Sequence, residues 1–225
     1  MFRGPYLSVS LALLVGLAAC APVFAGEGVK LPDPALDPAA AAGDQVAVLA
    51  GGCFWGVEGV FEHVKGVKKV LAGYSGGQAR TANYDDVSDG DTGHAESVQI
   101  TYDPAQVSYG QLLKIYFSVA LDPTLVDRQG PDRGKQYRSA IFYATPAQKQ
   151  VANAYVAQLT AAKAFDAPIA TQLVPLDKFY PAEGYHQNYM RLHPDAAYIV
   201  YNDAPKVAAL KRIYPGVYQP WAGEP

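Results

Sequence analysis

Residues 45–64 read QVAVLAGGCFWGVEGVFEHV, and this stretch sets the first unit of the fold. Residues 45–50 form a short apolar run closed by Gly51-Gly52, the pattern of a buried strand ending in a turn. Phe54, Val57, Phe61 and Val64 then recur at helical spacing, so a strand gives way to a helix across Gly52-Cys53. Cys53 therefore stands just before a helix, where unpaired backbone N–H groups and the helix dipole favour an anion. A free cysteine has a pKa of about 8.5, and such a position is expected to lower it and raise the thiolate fraction. The same position also suits a small buried apolar residue, the common fate of a lone cysteine.

Outward from this unit, residues 67–72 suggest a second strand, followed by a polar, Gly- and Asp-rich stretch over 74–93. Loops of that length are more often functional than decorative. Residues 96–102 alternate, with Val98, Ile100 and Tyr102 on one face and Ser97, Gln99 and Thr101 on the other. Glu96 shares the apolar face. A carboxyl placed there is inclined to keep its proton and could donate it to a substrate oxygen, although a strand-end glutamate paired with Arg or Lys is the plainer expectation from this feature alone. Ser108 with Gln111 forms a capping-box pattern ahead of Leu112, Leu113, Tyr116 and Phe117. Residues 137–143 read as a fourth strand, and Thr145-Pro146 opens a helix with a cap and a proline in its first turn. A further strand is expected over 169–174 and a short helix over 183–192.

The order strand, helix, strand, strand, helix, strand predicts an α+β fold, a two-layer sandwich with a ferredoxin-like split βαβ core and a mixed sheet. Residues 1–20 have the build of a secretory signal: Arg3, the apolar run 11–19, then Leu17-Ala18-Ala19-Cys20, which resembles a bacterial lipobox. Lipid attachment at Cys20 would anchor an exported protein on the periplasmic side of a cell envelope. Cleavage after Ala25 would release it instead. Residues 21–44, rich in Pro and Ala, are expected to be a linker, 45–202 the catalytic domain and 203–225 a C-terminal tail with weak signals. The chain has 225 residues, half of them apolar, and a net charge of −3 without a basic cluster, which disfavours nucleic acid as a partner. Cys20 and Cys53 are its two cysteines, so no disulfide framework is expected.

Several motifs in order, Gly51-Gly52-Cys53-Phe54-Trp55-Gly56-Val57-Glu58, Gly73-Tyr74-Ser75-Gly76-Gly77, Asn83-Tyr84, Gly93-His94-Ala95-Glu96-Ser97-Val98, Asp132 to Ser139 (DRGKQYRS) and Glu183-Gly184-Tyr185-His186-Gln187, together resemble the A-type peptide methionine sulfoxide reductases. The resemblance implies that Cys53 attacks the sulfoxide sulfur and passes through a sulfenic acid. It implies that protonated Glu96, helped by the hydroxyls of Tyr84 and Tyr137, holds and protonates the oxygen, with Asp132 supporting the network. Phe54 and Trp55 would form the apolar wall for the substrate methyl group. The implied substrates are the S epimer of methionine sulfoxide in oxidised proteins or peptides, and the free amino acid; no metal or organic cofactor is implied. Many members carry further cysteines near the C-terminus, but residues 175–225 contain none. An external thiol, from a thioredoxin-like protein or a small reductant, is therefore expected to resolve oxidised Cys53.

Three other readings compete. Gly73-Tyr74-Ser75-Gly76-Gly77 fits the nucleophile elbow of serine hydrolases, with His94, His186 or His193 as base, but the elbow needs a helix after the turn and 78–91 lacks helical spacing. His94-Ala95-Glu96 matches half of a zinc deaminase signature whose C-x-x-C half is missing. A lipoprotein binding module that lost the reaction is the third, against which the joint presence of Cys53, Glu96, Tyr84 and Tyr137 speaks.

Overall fold

The computed structural model describes Met1, residues 27–39 and residues 42–221. The processing signals expected at Cys20 and Ala25 lie outside the described residues.

The first strand, β1 (Gln45–Gly51), leads through Gly52 and Cys53 into α1 (Phe54–Glu62), followed by β2 (Val67–Ser75), the short α2 (Tyr84–Ser88) and β3 (Ala95–Tyr102). Next come α3 (Tyr109–Ile115), the two-residue strands β4 (Arg128–Gln129) and β5 (Asp132–Arg133), then β6 (Ser139–Tyr143) and α4 (Pro146–Ala161). The chain closes with β7 (Gln172–Pro175), β8 (Phe179–Pro181), the single turn α5 (Tyr189–Leu192) and α6 (Ala204–Ile213). The main sheet has the order β7-β6-β1-β3-β2-β8. Its four central strands are mutually antiparallel in the split βαβ arrangement, and β7 joins β6 in parallel, which makes the sheet mixed.

Local chemistry explains where the elements start. The Ser108 hydroxyl accepts from the Gln111 amide while the Gln111 side chain accepts from the Ser108 amide, two orphan donors satisfied reciprocally. Thr145 caps α4, which carries Pro146 in its first turn. Along β1 the side chains divide: Ala47 and Leu49 enter the large core beneath the helices, with Phe61, Ile100, Leu112 and Tyr155. Val48 and Ala50 face the other way, into a smaller cluster with Phe142 and Phe179.

Two segments differ from expectation. Residues 27–39 do not behave as a free linker, because Leu31 is buried, the Tyr155 hydroxyl donates to the Pro32 carbonyl, and Asp37 takes the Ser108 hydroxyl and the Gly110 amide. The region after 202 holds α6, whose Ala209 and Leu210 are buried in the core with α1. Val207, Leu210 and Ile213 fall at helical spacing on its packed side, a short stripe interleaved with Lys206, Lys211 and Arg212. The helix expected over 183–192 is broken at Asn188, which adopts φ 55°. Among the described residues no helix is long and apolar enough to cross a membrane.

Candidate active site

The turn into α1 places the sulfur. Gly52 has φ +87°, and a Cβ there would lie 2.5 Å from Gln129 Cβ, so glycine meets both the conformation and the close approach. Cys53 then takes the N-cap position, with Phe54 and Trp55 in the first turn of α1.

Glu96, near the start of β3, is 3% exposed, and its Oε2 accepts the Phe54 backbone N–H at 3.0 Å. The carboxyl thus lies against the amide next to Cys53. Burial pushes its pKa up to about 8; the Phe54 amide works against this, and the charges of Asp132 and Asp203 add to it. Near neutral pH Glu96 is a carboxylic acid, able to donate a proton.

The sulfur departs from expectation. Cys53 is 8% exposed, and burial, with the charges of Glu96 and Asp203, pushes its thiol well above the ordinary value. The Trp55 backbone N–H and the Lys206 ammonium pull the other way and lose. The helix terminus thus acts as read from the sequence, but desolvation of the thiolate outweighs it. Cys53 rests as a thiol, not as an exposed thiolate.

Around this pair the predicted side chains converge. Tyr84 and Tyr137 keep their hydroxyl protons, held above the ordinary range first by burial and then by the charge of Glu96, and both sense Cys53. The Asp132 carboxylate accepts a hydrogen bond from the Tyr198 hydroxyl. Trp55 is partly exposed and stacks on Tyr189, with ring centroids 3.8 Å apart and planes 10° from parallel. Phe54 is enclosed, its ring 5.0 Å from His186 and 5.9 Å from Tyr74, so Trp55 offers the open aromatic face and Phe54 backs it.

Other participants escaped the sequence reading. Tyr198 directly precedes the π-helical turn Ile199–Asp203, Asp203 ends it, and Lys206 comes from α6, all far along the chain from Cys53. Only the i,i+3 spacing of Asp203 and Lys206 could have hinted at a pair. The 183–187 motif acts as a strap. Glu183 accepts the Tyr84 amide and the Tyr74 hydroxyl, each at 2.9 Å, and the Gln187 amide makes two bonds to the backbone of Ala72. His186 accepts the Trp55 indole N–H on Nδ1 at 3.2 Å; burial lowers its pKa, so the neutral ring carries its proton on Nε2.

The competing nucleophile finds no support. Ser75 is fully buried at the end of β2, paired with Ala95 and Phe179, and its hydroxyl has no hydrogen-bond partner. His94 uses Nδ1 on the Gly77 amide and Nε2 on the Gln78 carbonyl, bracing the loop. Among the described residues no three His, Cys, Asp or Glu side chains gather to hold a metal ion.

Comparison with known proteins fits this geometry. The family model for peptide methionine sulfoxide reductase matches residues 45–216. The chain belongs to this family. The match runs past residue 202 and takes in α6. Among curated relatives, peptide methionine sulfoxide reductase MsrA 2 of Mesorhizobium japonicum is 56% identical over 183 residues, covering 81% of this chain and 94% of the relative. The MsrA of Thermus thermophilus is 44% identical over 177 residues, covering 79% and 99%. Among solved structures, reduced Mxr1 from Saccharomyces cerevisiae aligns with a TM-score of 0.60 at 32% identity, covering 68% of this chain and 87% of that one. Methionine sulfoxide reductase A of Corynebacterium diphtheriae aligns with a TM-score of 0.58 at 32% identity, covering 74% and 84%. The α+β reading of the fold agrees with these family structures.

Proposed function

We propose that this chain, as a member of the peptide methionine sulfoxide reductase family, is an oxidoreductase that returns methionine S-sulfoxide to methionine at Cys53. The observation that carries this reading is the acid held beside the sulfur: a neutral Glu96 bonded to the amide that follows Cys53.

A sulfoxide presents a soft electrophilic sulfur, a polar oxygen that must gain protons to leave, and an apolar methyl group. Glu96 donates a proton toward the oxygen, with the Tyr84 and Tyr137 hydroxyls as further donors, and this makes the sulfur more electrophilic. Cys53 loses its proton as its sulfur attacks, and ionised Glu96 can take that proton up. The protonated oxygen leaves the substrate sulfur as water, and a water molecule then attacks Cys53 Sγ and breaks the new Sγ–S bond, so methionine leaves reduced by two electrons and Cys53 becomes a sulfenic acid, oxidised by two. Trp55, backed by Phe54, receives the methyl group. Asp132 holds Tyr198 in the wall of the site.

Resolution requires an external thiol, because Cys53 is the one cysteine in residues 21–225. That thiol attacks the sulfenic sulfur, water leaves, and a second thiol releases Cys53 as a disulfide forms between the reductants. A thioredoxin-like protein or a small thiol fills this role, and oxidised proteins, peptides and the free amino acid are the substrates. Export to the periplasmic side with a lipid at Cys20 completes the proposal; the intact mass of the native protein distinguishes an acylated Cys20 terminus from cleavage after Ala25.

The activity is tested by incubating a peptide containing both sulfoxide epimers with the protein and dithiothreitol. The S epimer is expected to be consumed and the R epimer left, with no consumption by Cys53→Ser. Consumption of the R epimer, or turnover by Cys53→Ser, contradicts the reading.

A further inference from the structure

Asp203 and Lys206 are buried, at 0% and 8% exposure, where the π-helical turn Ile199–Asp203 runs into α6. Their side chains meet at 3.1 Å, and the second carboxylate oxygen of Asp203 has no hydrogen-bond partner. The pair is wedged against the first turn of α1. A Cβ on Gly56 would fall 2.0 Å from Asp203 Oδ1 and 2.8 Å from Lys206 Nζ, so the ion pair reaches the turn that carries Cys53 only because residue 56 has no side chain.

Stability is a poor reason for this arrangement. Taking both charges out of water is costly, and apolar side chains of similar volume would fill the space at least as well. A buried carboxylate left half-bonded beside a reactive sulfur is instead a means of setting local potential. The other groups that act on Cys53 are Glu96 from β3, Tyr84 from α2, Tyr137 from the turn before β6 and Tyr198 just ahead of the π-helical turn. Asp132 from β5 acts on both Glu96 and Asp203. Burial and Glu96 weigh more on the sulfur than this pair does, and Asp203 and Lys206 act on it as two opposed charges lodged at the same turn of α1.

We propose that Asp203 is a positioning residue for the reaction at Cys53: wedged with Lys206 against Gly56 in the first turn of α1, its carboxylate adds to burial in opposing negative charge on the sulfur of the empty site. The proposal rests on Cys53 being the nucleophile. Its consequence is protection, since a thiol reacts with stray oxidants far more slowly than a thiolate, and this chain has no neighbouring cysteine in the folded part to rescue an oxidised one.

The test is the pH dependence of iodoacetamide alkylation at Cys53, followed in the full chain by peptide-resolved mass spectrometry over about pH 6 to 10. Asp203→Asn is expected to shift the profile to lower pH and to speed alkylation near neutral pH by about threefold or more. Lys206→Met, which removes the opposing charge, is expected to shift it to higher pH. Far-UV circular dichroism checks the fold of each variant. A profile for Asp203→Asn that superimposes on that of the unaltered chain overturns the proposal; where that variant does not fold, the same result for Lys206→Met does so. Because alkylation does not depend on turnover, a chain that is inert toward sulfoxide yet shows these shifts contradicts the assigned reaction and not the influence of Asp203.

Discussion

The Phe54 backbone N–H donates to Oε2 of Glu96 at 3.0 Å, so the residue that follows the reactive sulfur also fixes the acid. One turn of chain thereby sets both partners of the reaction: α1 aims Cys53, and its first free amide holds the carboxyl that protonates the departing oxygen.

Replacing that acid should spare the fold and slow the chemistry. Glu96→Gln keeps the acceptor for the Phe54 amide but cannot hand over a proton, so kcat/KM for a methionine sulfoxide peptide should fall by about 10²-fold or more. In the unaltered chain the same parameter should decline as pH rises through about 8, where Glu96 ionises. Steady-state kinetics across pH, with a reductant in excess, checks both.

Stability should fall with rising pH. Glu96 and Glu58 are both held up to about 8 by burial, whereas the unfolded chain ionises them near the ordinary 4.5. Between those values the folded state keeps protons that the unfolded state has released. Each carboxyl then costs about 1.4 kcal/mol of stability per pH unit, screening aside, with the effect absent below the lower value and complete above the upper. Urea denaturation at a series of pH values reads the slope. Glu58→Gln, which leaves the site in place, should make it shallower.

The N-terminal segment should contribute measurably. Asp37→Ala removes the acceptor for the Ser108 hydroxyl and the Gly110 amide, and should cost about 1–2 kcal/mol in a urea titration. A free linker would show no change.

Trp55→Ala should raise KM for a methionine sulfoxide peptide by about tenfold, the loss of roughly 1.4 kcal/mol of apolar contact. Trp55→Phe keeps a ring to stack on Tyr189 while losing the bond to His186, and should fall between the two.

What the sequence revealed follows from the range of the forces involved. The strand-to-helix switch at Gly52-Cys53, the alternation through Val98 and Ile100, and the caps at Ser108 and Thr145 are written within a few residues, and each stands where it was expected. The α6 helix was not visible because its apolar stripe, Val207, Leu210 and Ile213, is short and interleaved with Lys206, Lys211 and Arg212. Asn188 in a left-handed conformation breaks what reads as one helix, next to Gln187, whose side chain is bonded to the backbone of Ala72. At the site, Cys53 and Glu96 were legible as a capping position and a misplaced carboxyl. The Tyr198 bond to Asp132 and the approach of the Asp203–Lys206 pair to Gly56 join distant parts of the chain, and the i,i+3 spacing of the pair says nothing of where it docks. The ionisation of Cys53 shows the same limit: its position favours the thiolate, and only the surrounding structure shows that burial prevails.

The most direct test of the central claim is a single turnover without reductant. The reduced protein, mixed with excess methionine S-sulfoxide peptide, should form about one equivalent of methionine per chain, with one oxygen added at Cys53 and trapped there by dimedone. Methionine formation well beyond one equivalent, or one equivalent formed with Cys53 still recovered as a free thiol, would contradict oxygen transfer to this sulfur.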